Sequence, residues 1–254
     1  MKEENDLRGT LLAHLKELSL PTVRSGFESA AQQARQESLS YEQYLLALAQ
    51  QEVDARRQKR IERLLRESRL PLEKSLANFN QKRLPPKVSQ QLHVLLEGGF
   101  LDRRENVLAF GNPGSGKTHL LCALGQELVR RGRRFLFAKS GLLVQELLIA
   151  KRDLKLGRVL KGLMRHEGLI IDDLGYVQQS REEMEVLFAL LAERYERGSV
   201  LLTSNLPFGK WEGIFKDAMT TAAAIDRLVH HSVILELNLP SYRVEHAKNG
   251  KVPG

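Results

Sequence analysis

The sequence predicts an α/β fold: a parallel five-stranded sheet flanked by helices, preceded by an all-helical N-terminal domain. Three observations carry this. Residues Gly111 to Thr118 read Gly-Asn-Pro-Gly-Ser-Gly-Lys-Thr and fit G-x-x-x-x-G-K-[ST] without a mismatch. From about residue 105 short apolar runs alternate with helical stretches, the pattern of a parallel sheet covered on both faces. Before about residue 84 only helical signals occur, and Pro85-Pro86 punctuate the change.

The N-terminal region, residues 1–83, begins with Leu7, Leu11, Leu12, Leu15 and Leu18 on one helical face, closing before Pro21. A second long helical region runs from Ser40 to Leu70, with Ser40 and Gln43 spaced as a capping box. Ten Lys or Arg stand against four Asp or Glu between Asp54 and Arg83. On a helix Arg56, Lys59, Arg60, Arg63 and Arg66 share one sector of about 120°, with Ile61, Leu64 and Leu65 turned away. A basic face opposite an apolar one suits a helix lying along a phosphate backbone, contacting double-stranded DNA with low sequence specificity. The alternative is a solvated charged helix.

The candidate strands are Val107–Phe110, Arg134–Ala138, Leu169–Asp172, Val200–Thr203 and Val233–Leu237. The first leads into the glycine turn, and a helical pattern, His119–Arg131, follows it. Strand, turn and helix N-terminus make a polyphosphate site, Gly111 through His119 (Gly111, Asn112, Pro113, Gly114, Ser115, Gly116, Lys117, Thr118, His119). Lys117 is positioned for the β- and γ-phosphates of ATP and Thr118 for Mg²⁺. Leu169-Ile170-Ile171-Asp172-Asp173 is an apolar strand ending in two carboxylates. Asp172 suits the metal and Asp173 a base that polarises water, unless the pair only caps a turn. Aspartate is one methylene shorter than glutamate at that position, so slow unstimulated turnover is expected. Asn205 and, after it, Thr203 are candidates to sense the γ-phosphate, although Ser204-Asn205 before Leu206-Pro207 is also an ordinary turn. Arg227, on a predicted helix, either reaches a neighbouring subunit's γ-phosphate or pairs with an acid such as Asp226.

Two helices, Ser140–Arg152 and Leu154–His166, fill a crossover that needs one, and Lys151, Arg152 and Lys155 make that segment basic and a second candidate DNA contact. Phe79 is placed either to stack on adenine or simply to pack, and Trp211 reads as core. The net charge of +8 fits a polyanionic partner. One cysteine, Cys122, excludes an internal disulfide. With no long apolar run and a polar start, Met1-Lys2-Glu3-Glu4, a cytoplasmic protein without a membrane partner is expected.

With these pieces in place the chain resembles the AAA+ ATPases of the initiator and helicase-loader clade, and most of all the IstB-type transposition helpers. The resemblance rests on Gly111–Thr118, Leu169–Gly175, Thr203–Phe208, Ile225–Leu228 and Ser241–Arg243. It implies a sheet order of 5-1-4-3-2 and ATP-dependent assembly of a homo-oligomer on double-stranded DNA. It implies cooperation with a cognate transposase in target selection. It also implies Asp172 as metal ligand, Asp173 as the catalytic position, Asn205 as first sensor and Arg227 as finger in trans. The ATPase domain is expected over 84–243 with 244–254 as a tail. The residues after Leu237 are too few for a helical lid, which leaves Arg243 as a weak substitute for a second sensor. A helicase loader, or a DNA-architectural protein that uses ATP only to assemble, remain the alternatives; a nucleotide kinase is disfavoured, since no small-substrate site is apparent.

Overall fold

The structure is a computed structural model that describes residues 2–175, 180–211 and 218–242. The chain divides into two compact units, residues 1–63 and 64–254.

The first unit is helical: α1 (Lys2–Glu17), α2 (Pro21–Gln36) and most of α3 (Tyr41–Glu67). Pro21 occupies the first turn of α2, where its missing N–H is harmless. The expected capping box starts α3: Ser40 N–H donates to Gln43 Oε1 at 2.8 Å and Gln43 N–H to Ser40 Oγ at 3.2 Å. Glu52 of α3 is buried and caps α2 from outside, accepting the N–H groups of Thr22 and Val23 at 2.8 and 3.3 Å and Arg56 Nε at 2.8 Å. Burial opposes ionisation of this carboxyl, but Arg56 and the two amides outweigh it and hold it below the usual carboxylate range. Of the leucines expected on one face of α1, Leu15 is buried while Leu7, Leu11 and Leu18 are exposed. Within the first unit only part of this stripe is covered.

The second unit carries the sheet, β1 (Asn106–Gly111), β2 (Phe135–Lys139), β3 (Gly168–Leu174), β4 (Ser199–Ser204) and β5 (Ser232–Leu237). Its order is β2-β3-β4-β1-β5, all parallel, as the resemblance implied. Alternate residues serve opposite layers. Leu108, Leu169, Ile171, Val200 and Leu202 pack on one face beneath α7 (Ser140–Arg152), α8 (Leu156–Leu163), α9 (Arg181–Arg194) and α10 (Ala218–Val229). Val107, Ala109, Ile170 and Leu201 pack on the other against α4 (Pro86–Leu96), α5 (Gly99–Asp102) and α6 (Lys117–Arg130). Burial on both faces is why the strands read as unbroken apolar runs.

The expected boundary after residue 83 falls earlier. Leu64, Leu70 and Leu84 are buried in the α4–α6 core. Ser68 O accepts Phe137 N–H at 2.8 Å, and Gln126, 1% exposed inside α6, donates Nε2 to Pro71 O at 2.9 Å and Lys74 O at 3.1 Å. Residues 64–83 therefore form a strap over α6, and Arg66 belongs to the second unit. The expectations for the lid, the 244–254 tail and Arg243 lie outside the described residues.

Two buried polar side chains tie the sheet together. Asn106 accepts Val200 N–H at 2.8 Å and donates to Leu228 O at 3.0 Å, joining β1, β4 and α10. Arg194, 1% exposed, donates to the carbonyls of Leu163, His166, Glu167 and Ser199 at 2.9–3.1 Å. Burial pushes its guanidinium down to about 10. Cys122, enclosed in α6, has its thiol pushed up to about 12 by burial. It is expected to resist thiol reagents in the native protein and to react stoichiometrically only after unfolding, measured by chromophoric thiol titration with and without denaturant.

Candidate nucleotide-binding site

A cleft of about 500 Å³ opens at the carboxyl ends of β1, β3 and β4. In open α/β sheets ligands sit at that end. Pro113 through His119 form its floor, with Lys139, Asp172, Asp173 and Asn205 on one side and Phe79, Arg83 and Tyr242 on the other.

The loop before α6 is shaped by backbone constraints. Gly114 and Gly116 lie at φ 78° and 98° in the left-handed region, and a Cβ on Gly116 would stand 3.2 Å from the Phe79 ring. Gly116 is the N-cap of α6 and makes no side-chain cap, so the first N–H groups of the helix face the cleft uncapped. Ser115 Oγ is buried without a hydrogen-bond partner. Lys117 Nζ donates to Gly111 O at 2.8 Å and Asn112 O at 2.9 Å. An orphaned hydroxyl, uncapped amides and an ammonium that donates to two loop carbonyls fit a polyphosphate.

Asp172, 4% exposed, receives two hydroxyls on one oxygen. Thr118 Oγ1 donates to its Oδ1 at 2.7 Å and Thr203 Oγ1 at 2.6 Å. Hydroxyl and carboxylate oxygens side by side suit a hard cation such as Mg²⁺. Thr203 Oγ1 also accepts Asp173 N–H at 2.8 Å, and Ser140 Oγ donates to Asp173 O at 3.0 Å. Between these two anchors Asp173 sits at φ 60°, where the register of β3 on β4 slips between Ile171 and Leu174. A non-glycine residue in this region stores about 1–3 kcal/mol of strain, and such residues cluster at functional sites. The bulge swings the Asp173 side chain out of the sheet and into the cleft.

Asn205 follows β4 and lines the cleft. Its loop is fixed from below: Ser204 Oγ donates to Leu174 O at 2.9 Å, and Trp211 Nε1 to Leu206 O at 3.0 Å. Trp211 is fully buried against Phe110 and Phe208, a core residue as expected. Thr203 is fully buried beneath the site rather than facing it. Arg227 does not line this cleft; its guanidinium lies 4.8 Å from the Phe188 ring centroid and Nη1 donates to Ala223 O at 2.9 Å.

A family model described as IstB-like ATP binding protein matches residues 13–250. The chain belongs to this family. It is 41% identical over 238 residues to an insertion-sequence ATP-binding protein of Sinorhizobium fredii, covering 93% of this chain and 80% of that protein. It is 38% identical over 241 residues to the IS21 ATP-binding protein of Pseudomonas aeruginosa, covering 94% and 90%. Among solved structures it resembles the DnaC helicase loader (TM-score 0.52, 18% identity, 59% of this chain and 88% of that one). It also resembles AMPPCP-bound DnaA from Aquifex aeolicus (TM-score 0.55, 21% identity, 72% and 56%). These likenesses show an AAA+ fold.

In this IstB-like chain the structure also brings residues to the cleft that the sequence reading passed over. Lys139 ends β2 beside Asp172 in register, and Lys74, Asn78 and Arg83 come from the strap. Arg83 stacks 5.3 Å from the Tyr242 ring centroid and donates to Pro240 O at 3.2 Å. The available signal for Lys139 was its place at the carboxyl end of a strand. The candidate DNA contacts Arg56, Lys59, Arg60, Arg63, Arg66, Lys151, Arg152 and Lys155 are all exposed. Lys151 pairs with Glu185 at 2.8 Å and Lys155 with Asp153 at 3.1 Å, while Arg56 holds Glu52. Exposed pairs of this kind contribute about 0–1 kcal/mol, so the first two exchange readily for phosphate. No described helix is long and apolar enough to cross a membrane.

Proposed function

We propose that this chain is a double-stranded-DNA-dependent ATPase that assembles with ATP on DNA and assists a cognate transposase in target selection and strand transfer. The observation that carries the ATPase reading is the hydrogen-bonded array Thr118–Asp172–Thr203–Asp173 facing the glycine loop. Membership of a family whose relatives are insertion-sequence ATP-binding proteins supports the transposition role.

In this reading Lys117 exchanges its two loop carbonyls for the β- and γ-phosphates, and loop N–H groups and Ser115 Oγ complete the cradle. Thr118 and Asp172 would hold Mg²⁺, which would neutralise charge on the phosphates. Asp173 polarises the attacking water, placed by a backbone that Thr203 and Ser140 fix on both sides. Asn205 orients that water or the γ-phosphate. Phe79, over Gly116 and 5.0 Å from the His119 ring, offers a face for the adenine.

Thr203→Val tests the array without changing side-chain shape. Hydrolysis is expected to fall roughly 10–100-fold, the usual effect of removing a group that orients a metal ligand, with ATP binding retained. Unchanged turnover would remove Thr203 from the account.

The DNA reading is tested by binding to random-sequence duplex across a salt series. Steep salt dependence and equal affinity for two unrelated duplexes are expected. Neutralising Lys59, Arg60 and Arg63 together should flatten the slope of log K against log salt by about 2.7, at 0.9 per phosphate contact. A large preference for one sequence, or an unchanged slope, would contradict it.

A further inference from the structure

We propose that Glu196, His230 and His231 form a binding site for one transition-metal dication, zinc above all, at the end of the sheet opposite the nucleotide cleft. One donor atom from each of the three side chains lies within 4.8 Å of the other two. All three are exposed and open to an ion from solution. Two imidazoles and one carboxylate match zinc, nickel or copper, and are a poor set for magnesium or calcium, which take oxygen ligands. Three protein donors leave a fourth position for water.

The donors stand on anchored turns. Glu196 lies between α9 and β4 at φ 57°, and its carbonyl accepts the Arg104 guanidinium. His230 and His231 join α10 to β5; His230 N–H donates to Asp226 O at 2.9 Å, and His231 O accepts Asn106 N–H at 2.7 Å. The Tyr195 hydroxyl stands 3.1 Å from His230 Nδ1, a contact that orients that ring. Ligating histidines ordinarily carry such a partner on the second nitrogen. The local cations do not defeat the site. Arg103 is bound by Glu105 at 2.8 and 2.9 Å, Arg104 is committed to the Glu196 carbonyl, and Arg227 lies on Phe188.

These turns precede β4 and β5, whereas the ATP cleft lies at the strands' other ends. An ion here would join the turn after α9 to the turn after α10 without touching the nucleotide.

The test is zinc titration of the chelator-stripped full chain, in competition with a chromophoric zinc indicator, with millimolar magnesium present. One zinc per chain is expected, unaffected by magnesium. His231→Ala and, separately, Glu196→Gln should each weaken it about tenfold or more, and Tyr195→Phe should weaken it less. Circular dichroism confirms that each variant folds; both ligand changes are at exposed positions, and either alone suffices. No saturable zinc binding, or binding unchanged in both ligand variants, would overturn the proposal.

Discussion

Lys117→Ala is expected to abolish productive ATP binding and to lower hydrolysis by at least about 10²–10³-fold, the range seen when one preorganised donor to developing charge is lost. The side chain is 6% exposed, and its ammonium donates to two loop carbonyls, Gly111 O and Asn112 O. Both groups lie on the wall of the phosphate cradle, so the ammonium needs only a small shift to reach bound ATP. Removing it leaves the loop's amides and the α6 N-terminus, which bind anions less strongly without a full charge. Nucleotide titration by fluorescence and a phosphate-release assay measure the two effects. Wild-type turnover in this variant would place the chemistry elsewhere.

Arg227→Ala is expected to lower turnover of the assembled protein by roughly 10³-fold or more, while the isolated chain still binds ATP. The reason is positional. Asn106, at the start of β1, reaches the carbonyl of Leu228 next to it, whereas the phosphate loop follows the end of β1. At about 3.3 Å per residue, the helix end that carries Arg227 lies roughly 16 Å along β1 from its own chain's loop. A role in the chemistry then requires a neighbouring chain. Mixing Arg227→Ala with Lys117→Ala should restore part of the activity, because each supplies what the other lacks. Two inactive variants that stay inactive when mixed would return Arg227 to its perch on Phe188 as a structural residue.

Much of this arrangement is legible in the residues. Each candidate strand matches an observed one to within a residue or two, because burial on both faces leaves continuous apolar runs that no surface helix shows. The two basic helices of the long crossover, the capping box at Ser40 and the buried Trp211 also stand where the sequence puts them. What stays hidden depends on tertiary contacts between residues that carry no periodic signal. The strap over α6 is held by isolated leucines and by Gln126, a polar residue that reads as surface. Arg194 likewise reads as a solvated arginine, yet it is buried under four carbonyls. Thr203 is expected at the γ-phosphate, but lies one layer below, where it links Asp172 to the Asp173 backbone. The left-handed turn at Asp173 is hidden because it falls inside an apolar strand run, where an aspartate, though it tolerates that region, reads as the strand's acidic end.

That turn also bears on rate. A carboxylate one methylene short of glutamate is projected into the cleft by a strained backbone, so its reach to a water depends on how well β3 and β4 hold the bulge. Under the proposed function, slow hydrolysis by the free chain is expected, and a partner that tightens this side of the sheet is expected to raise it. Duplex DNA is the partner that the basic surfaces suit.

The direct test is ATP turnover by the purified chain with and without plasmid-length duplex DNA, with Lys117→Ala as the blank. The account predicts slow turnover alone and strong stimulation by duplex. Equal rates with and without duplex, or stimulation by single strands only, would contradict a double-stranded-DNA-dependent ATPase.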